Sequence, residues 1–210
     1  MTPKISQQPT VFIVDDDPAI RFAMQALMDS VNISHEIYSS GDEFLENVDD
    51  QRPGCLVLDI RMPGLGGLEL QEELLRRGST IPIIFITGHG DIPMAVEAMK
   101  QGAIDFIRKP FRHQELLDRI NEALTAEATG RAEKQNIDAI RQCFGDLTPR
   151  ESEVFGRVSA GQANKVIAIE LGISERTVEI HRSQVMRKMK ARTLADLVRM
   201  RITLDREGPE

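Results

Sequence analysis

The 210 residues predict a five-stranded, doubly wound parallel α/β domain followed by a small all-α domain. Three observations carry that prediction. Apolar runs at Val11 to Val14, Cys55 to Leu58 and Ile81 to Ile86 are continuous rather than alternating, the pattern of strands buried on both faces. Stretches of helical period, such as Ala19 to Met28 and Leu68 to Leu75, lie between them and can serve as crossover helices. After about Leu124 no strand signal returns.

In chain order, strand one ends in Asp15, Asp16 and Asp17, with Pro18 beginning a helix. A weaker strand follows at Ile33 to Tyr38. The third ends in Asp59, ahead of Ile60-Arg61-Met62-Pro63-Gly64, and the fourth in Thr87 and Gly88. The fifth, Ile104 to Ile107, leads to Lys109-Pro110 and closes a domain at residues 1–124. Thr125 to Phe144 is polar and helix-compatible, with one glycine at 130, so residues 125–146 read as a helical linker. Residues 147–210 form the second domain. It opens with Leu147-Thr148-Pro149-Arg150-Glu151, in which Thr148 can cap, Pro149 suits the first helical position and Glu151 can complete a capping box.

Composition narrows the function classes. The chain is 41% apolar and 28% charged, which fits a globular protein rather than a disordered one. No apolar run nears the roughly 20 residues of a membrane helix, and no stretch of signal-peptide length precedes the first strand, so a cytoplasmic protein without membrane contact is expected. Cys55 and Cys143 suggest neither a disulfide framework nor a metal site. The net charge of −7 is uneven: residues 1–124 carry 11 basic against 20 acidic side chains, whereas residues 145–210 carry 12 against 10. Arg176, Arg182, Arg187, Lys188, Lys190 and Arg192 face only Glu179 in residues 176–192, which suits a phosphate-facing patch or a solvated basic helix face.

The strand ends of a parallel sheet gather distant side chains at one crevice. There Asp15, Asp16 and Asp59 would repel one another unless a divalent cation sat among them, and oxygen-only ligands point to Mg2+. Thr87 adds a hydroxyl and Lys109 an ammonium. This set suits phosphoryl transfer to a carboxylate: Asp59 attacks, Asp15 and Asp16 hold the metal directly or through water, Thr87 hydrogen-bonds the phosphoryl group, and Lys109 pairs with it. Two alternatives stand beside this reading. Asp15 to Asp17 can simply cap the helix begun by Pro18 while Asp59 starts a turn, or the chain is a Mg2+-dependent phosphatase whose nucleophile lies on strand one.

V-F-I-V-D-D-D-P, L-V-L-D-I-R-M-P-G, F-I-T-G-H-G-D and D-F-I-R-K-P-F resemble the receiver domain of bacterial response regulators across about residues 9–124. The resemblance implies a flavodoxin-like fold without enzymatic turnover and a sensor histidine kinase that phosphorylates Asp59. It also implies a metal site completed by the Arg61 backbone carbonyl, a cis Lys109-Pro110 bond, and Thr87 and Phe106 moving together as a switch. Plain core is the other reading of Phe106. Arg61 and His89 would flank the phosphoryl group and influence its hydrolysis; His89 as an ordinary surface histidine is the alternative.

In the second domain Ala168 is small, Gly172 can end one helix in the left-handed conformation and Ser174 can cap the next, which is helix-turn-helix grammar. At 100° per residue Val178, His181, Val185 and Met189 share one face, and Arg176, Ile180, Ser183, Arg187 and Lys190 the opposite one. Ile180 on that polar face can meet a thymine methyl or be a lone exposed residue. Residues 147–202 resemble the LuxR-type output domain. R-T-V-E-I-H-R-S-Q-V-M-R-K-M-K with T-L-A-D-L-V-R-M resembles FixJ-like response regulators in particular. The resemblance implies that Glu179, Ile180 and Ser183 face bases, that Lys165, Arg176, Arg182 and Arg187 lie near phosphates, and that Thr193 to Arg201 forms a dimerising helix. Many such proteins carry Lys where Glu179 stands, so Glu179 either accepts from a cytosine amino group or faces solvent. The expected protein is a DNA-binding response regulator that dimerises on phosphorylation, binds promoter DNA and activates transcription with RNA polymerase. A protein-binding adaptor that never touches DNA is the remaining rival.

Overall fold

The computed structural model describes residues 8–49, 52–88 and 92–206. The chain divides into two compact units, residues 1–130 and 131–210.

In the first unit five strands, β1 (Thr10–Val14), β2 (His35–Tyr38), β3 (Gly54–Asp59), β4 (Ile83–Thr87) and β5 (Asp105–Arg108), form an all-parallel sheet in the order β2-β1-β3-β4-β5. The helices are α1 (Pro18–Ser30), α2 (Gly41–Asn47), α3 (Gly67–Arg76), α4 (Ile92–Lys100) and the start of α5 (His113–Gly145). Alternate strand residues enter two cores. Phe12, Val14, Leu56, Leu58 and Phe85 pack with Phe44, Leu70, Leu74, Ala95 and Ala98 from α2, α3 and α4. Val11, Ile13, Val57, Ile84 and Ile86 pack with Met24, Leu27, Met28, Leu116, Ile120 and Ala123 from α1 and α5. Burial on both faces explains the unbroken apolar runs.

Two strands begin later than their runs suggest. Pro82 has no N–H to give a ladder, so β4 starts at Ile83. Ile33 donates its N–H back to Met28 at the end of α1, so β2 starts at His35. Gly67 opens α3 so close to β3 that a Cβ there would collide with the carbonyl of Asp59. That approach brings the helix start against the strand end that carries the site.

The second unit is helical: the remainder of α5, then α6 (Pro149–Ser159), α7 (Asn164–Leu171), α8 (Glu175–Lys188) and α9 (Leu194–Arg206). The segment expected as a linker is continuous with α5 as far as Gly145. The capping box at α6 forms, with Glu151 N–H on Thr148 Oγ1 at 3.3 Å and Thr148 N–H on Glu151 Oε2 at 2.8 Å. Gly172 ends α7 at φ 65°, and Ser174 caps α8 by accepting from Thr177 N–H at 3.1 Å. Ile140, Val154, Phe155, Val158, Ile167, Val178, Val185, Met189 and Leu197 build the core. Among the described residues no helix is long and apolar enough to cross a membrane.

Candidate functional site

The sheet brings three of the expected groups into direct contact. Lys109, one residue past β5, points its ammonium between two carboxylates, with Nζ 2.8 Å from Asp15 Oδ2 and 2.7 Å from Asp59 Oδ1. Lys109 N–H donates to Thr87 O at 2.8 Å, which ties the lysine's backbone to the end of β4. The Lys109-Pro110 bond is cis. Asp59 Oδ2 accepts the Arg61 N–H at 3.2 Å. Thr87 is buried one residue past Ile86, the register partner of Asp59.

The three consecutive aspartates divide their labour. Asp17 caps α1 by accepting from Ala19 N–H at 2.8 Å, so the capping alternative holds for this residue. Asp15 is buried, with Oδ1 accepting from Asp17 N–H at 2.9 Å and Oδ2 taken by Lys109. Asp16 is exposed and has no side-chain partner among the described residues. Arg21, which the sequence did not single out, donates from Nη1 to Asp15 O at 2.7 Å.

Burial raises the Asp59 carboxyl above its ordinary pKa, and the hydrogen bond and charge of Lys109 recover only part of that. Burial opposes the Lys109 ammonium too, but its bonds to Asp15 and Asp59 outweigh burial and hold it protonated to higher pH. Asp59 is therefore a carboxylate whose negative charge is under-compensated. Among the described residues no three His, Cys, Asp or Glu side chains converge as a ready-made metal cage. The donor chemistry nonetheless fits a hard divalent cation: two carboxylates share one ammonium, and a third, Asp16, next to Asp15 in the chain, is exposed with no side-chain partner among the described residues.

Phe106 is 37% exposed on β5, which excludes the plain-core reading. His89 lies outside the described residues.

In the second unit α8 divides as its wheel predicts. Val178 and Val185 are buried and His181 is half-buried, while Arg176, Glu179, Ile180, Ser183 and Arg187 are exposed; past the helix end Met189 is buried and Lys190, at φ 54°, is exposed. Lys165 is exposed near the start of α7. Arg182 is half-buried, its Nη1 donating to Asn164 Oδ1 at 3.1 Å and linking α7 to α8. One member of the basic patch is redirected. Lys188 donates to Glu151 Oε2 at 2.6 Å and to Asp146 O at 3.1 Å, so it is spent inside the unit. Lys188 lies about 60° from Val185 on the wheel, a signal that it flanks the core stripe. The Lys188 hydrogen bond, with help from Thr148 N–H, pulls the Glu151 pKa down to about 2.

A family model described as the response regulator receiver domain matches residues 11–121, and one described as bacterial regulatory proteins of the luxR family matches residues 146–201. The chain is 47% identical to nodulation protein W of Bradyrhizobium diazoefficiens, over 95% of this chain and 88% of that protein. It is 44% identical to the transcriptional regulatory protein FixJ of Rhizobium meliloti, over 91% and 94% respectively. Among solved structures it resembles the response regulator StyR, with a TM-score of 0.87 and 46% identity over 94% of this chain and all of that one (100%).

Proposed function

Because the chain belongs to the bacterial response regulators that join a receiver domain to a LuxR-type DNA-binding domain, we propose that Asp59 accepts a phosphoryl group from a sensor histidine kinase and that the new charge governs promoter binding through α8. The observation that carries this reading is the Lys109 ammonium held between Asp15 and Asp59 at 2.8 and 2.7 Å.

In the transfer a carboxylate oxygen of Asp59 forms the new P–O bond while the P–N bond to the donor histidine breaks and its nitrogen keeps the electron pair. Lys109 balances charge on the phosphoryl oxygens, and Thr87 donates its hydroxyl to one of them. Asp15, Asp16, Asp59 and the Arg61 carbonyl would hold Mg2+, which supplies neutralising charge at the same oxygens when bound. Thr87 drawn toward the new anion leaves space for Phe106, so a local charge change biases a two-state element.

On DNA, Ile180, Ser183 and Glu179 face base edges, while Lys165, Arg176, Arg182 and Arg187 contact phosphates. Phosphorylation favours a homodimer that reads two half-sites and engages RNA polymerase as an activator, in the cytoplasm. The exposed basic face of α8 favours DNA over an adaptor role. The FixJ relative, named for transcriptional regulation, lends nothing to the phosphatase reading.

The test is Asp59→Asn. It abolishes covalent phosphate uptake, read by phosphate-affinity electrophoresis, and signal-dependent promoter binding, read by gel shift. Uptake that moves to Asp15, or a normal response in the variant, overturns the assignment.

A further inference from the structure

We infer that Arg21 is a positioning residue for the cation site: by holding the Asp15 carbonyl it aims the Asp16 carboxylate at the metal. This rests on the receiver reading above and adds to it a residue on α1 that touches neither phosphate nor metal.

The Asp15 backbone is pinned from two sides. Its N–H donates to Tyr38 O at 3.3 Å, and its carbonyl receives the Arg21 guanidinium at 2.7 Å. No backbone N–H among the described residues donates to that carbonyl, so past the end of β1 the guanidinium is its anchor. The Asp15–Asp16 peptide is planar. Fixing its oxygen therefore fixes the orientation of the whole plane and the place from which the Asp16 side chain starts, its N and Cα. Asp16 needs such help more than its neighbours. Asp15 is held by Lys109 and by Asp17 N–H, and Asp17 by its capping bond to Ala19, whereas the Asp16 side chain has no partner among the described residues. Its aim comes from the backbone, and that backbone is steered by Arg21.

Charge and position predict opposite signs here. A cation beside an acidic corner repels a divalent metal, so a purely electrostatic Arg21 weakens Mg2+ binding, and its removal would tighten it. An Arg21 that orients a ligand strengthens binding, and its removal loosens it. One guanidinium near the surface is screened within about 8 Å at physiological salt, whereas losing a group that orients a metal ligand commonly costs 10–100-fold in affinity, by order of magnitude. Position wins that comparison.

The experiment uses full-length protein with Arg21→Gln, too short to reach the carbonyl, and Arg21→Lys, which keeps the charge and one donor. Mg2+ alone is titrated by calorimetry. Uptake of phosphate from acetyl phosphate, which bypasses any kinase contact with α1, is then measured across Mg2+ concentrations. Arg21→Gln weakens Mg2+ binding about tenfold and raises the half-saturating Mg2+ by the same factor, while the rate at saturating Mg2+ stays within about twofold. Arg21→Lys falls between the two. Unchanged or tighter Mg2+ binding in a folded Arg21→Gln protein overturns the inference, as does a lower maximal rate with Mg2+ affinity intact. If Arg21→Gln melts out, Arg21→Lys decides alone, by binding Mg2+ more weakly than wild type or not. If wild-type protein takes no phosphate on Asp59, the receiver reading fails; if it does and the Arg21 variants match it, only the role of Arg21 fails.

Discussion

Each unit holds a lysine beside a buried carboxylate, and the two clusters come to opposite ends. In the helical unit Lys188 serves one acid, Glu151, which also receives Thr148 N–H; these donors outweigh burial and carry the acid to about 2. In the receiver Lys109 is divided between Asp15 and Asp59, and among the described residues Asp59 adds only the Arg61 N–H; burial prevails and the acid rises. The same two functional groups thus make a satisfied pair where donors are in surplus and an under-satisfied one where they are short. An anion left under-compensated gains from any incoming positive charge, which favours a cation beside it.

The largest expected effect breaks the symmetry outright. Asp59→Asn removes phosphate uptake yet raises the melting temperature, because the neutral amide escapes the burial penalty that the carboxylate bears. The sign follows from the raised folded pKa: the stability Asp59 contributes is present below its unfolded pKa and lost as pH rises through the folded value. The gain from Asp59→Asn is therefore full at neutral pH and closes in acid. A lower melting temperature at pH 7 would show that Lys109 already satisfies Asp59.

Lys188→Met should do the reverse, destabilising the helical unit by about 1–3 kcal/mol as the Glu151 anion loses its charged partner; denaturant unfolding of the full chain measures it. Glu151 has a depressed folded pKa, so its contribution is present above its ordinary value of 4.5 and is lost as pH falls toward about 2. Acid titration of wild type against Glu151→Gln should show the two curves converging in that window, and parallel curves would refute the assignment. The smallest effect separates the satisfied pair from the interface. Arg187→Ala lowers the slope of log affinity against log salt by about 0.9, one phosphate contact. Lys188→Met leaves that slope unchanged when DNA binding is measured across a salt series.

Much of this was legible beforehand because its causes are local. The apolar runs from Val11, Cys55 and Ile81 follow from strands covered on both faces, and the acids sit where the first two of those runs stop. Thr148, Pro149, Gly172 and Ser174 mark helix ends through stereochemistry that acts within a few residues. Lys188 was misjudged because counting charge along a helix ignores the acid that another helix turns toward it. Arg21 and Asn164 were missed because a side chain bonding to a loop carbonyl, or to a residue in another helix, leaves no periodic trace.

The sequence by itself determined the two folding units, the order of their elements and the residue types available at the strand ends, since period, run length and capping depend on neighbours along the chain. Only the tertiary structure decided which aspartate caps, which is buried and which is left open, and which lysine is divided between two acids and which serves one. Lys109 reaches Asp15 across 94 residues and Asp59 across 50, and Lys188 reaches Glu151 across 37. Ionisation answers to distance and desolvation in space, and those are properties that a linear pattern does not contain.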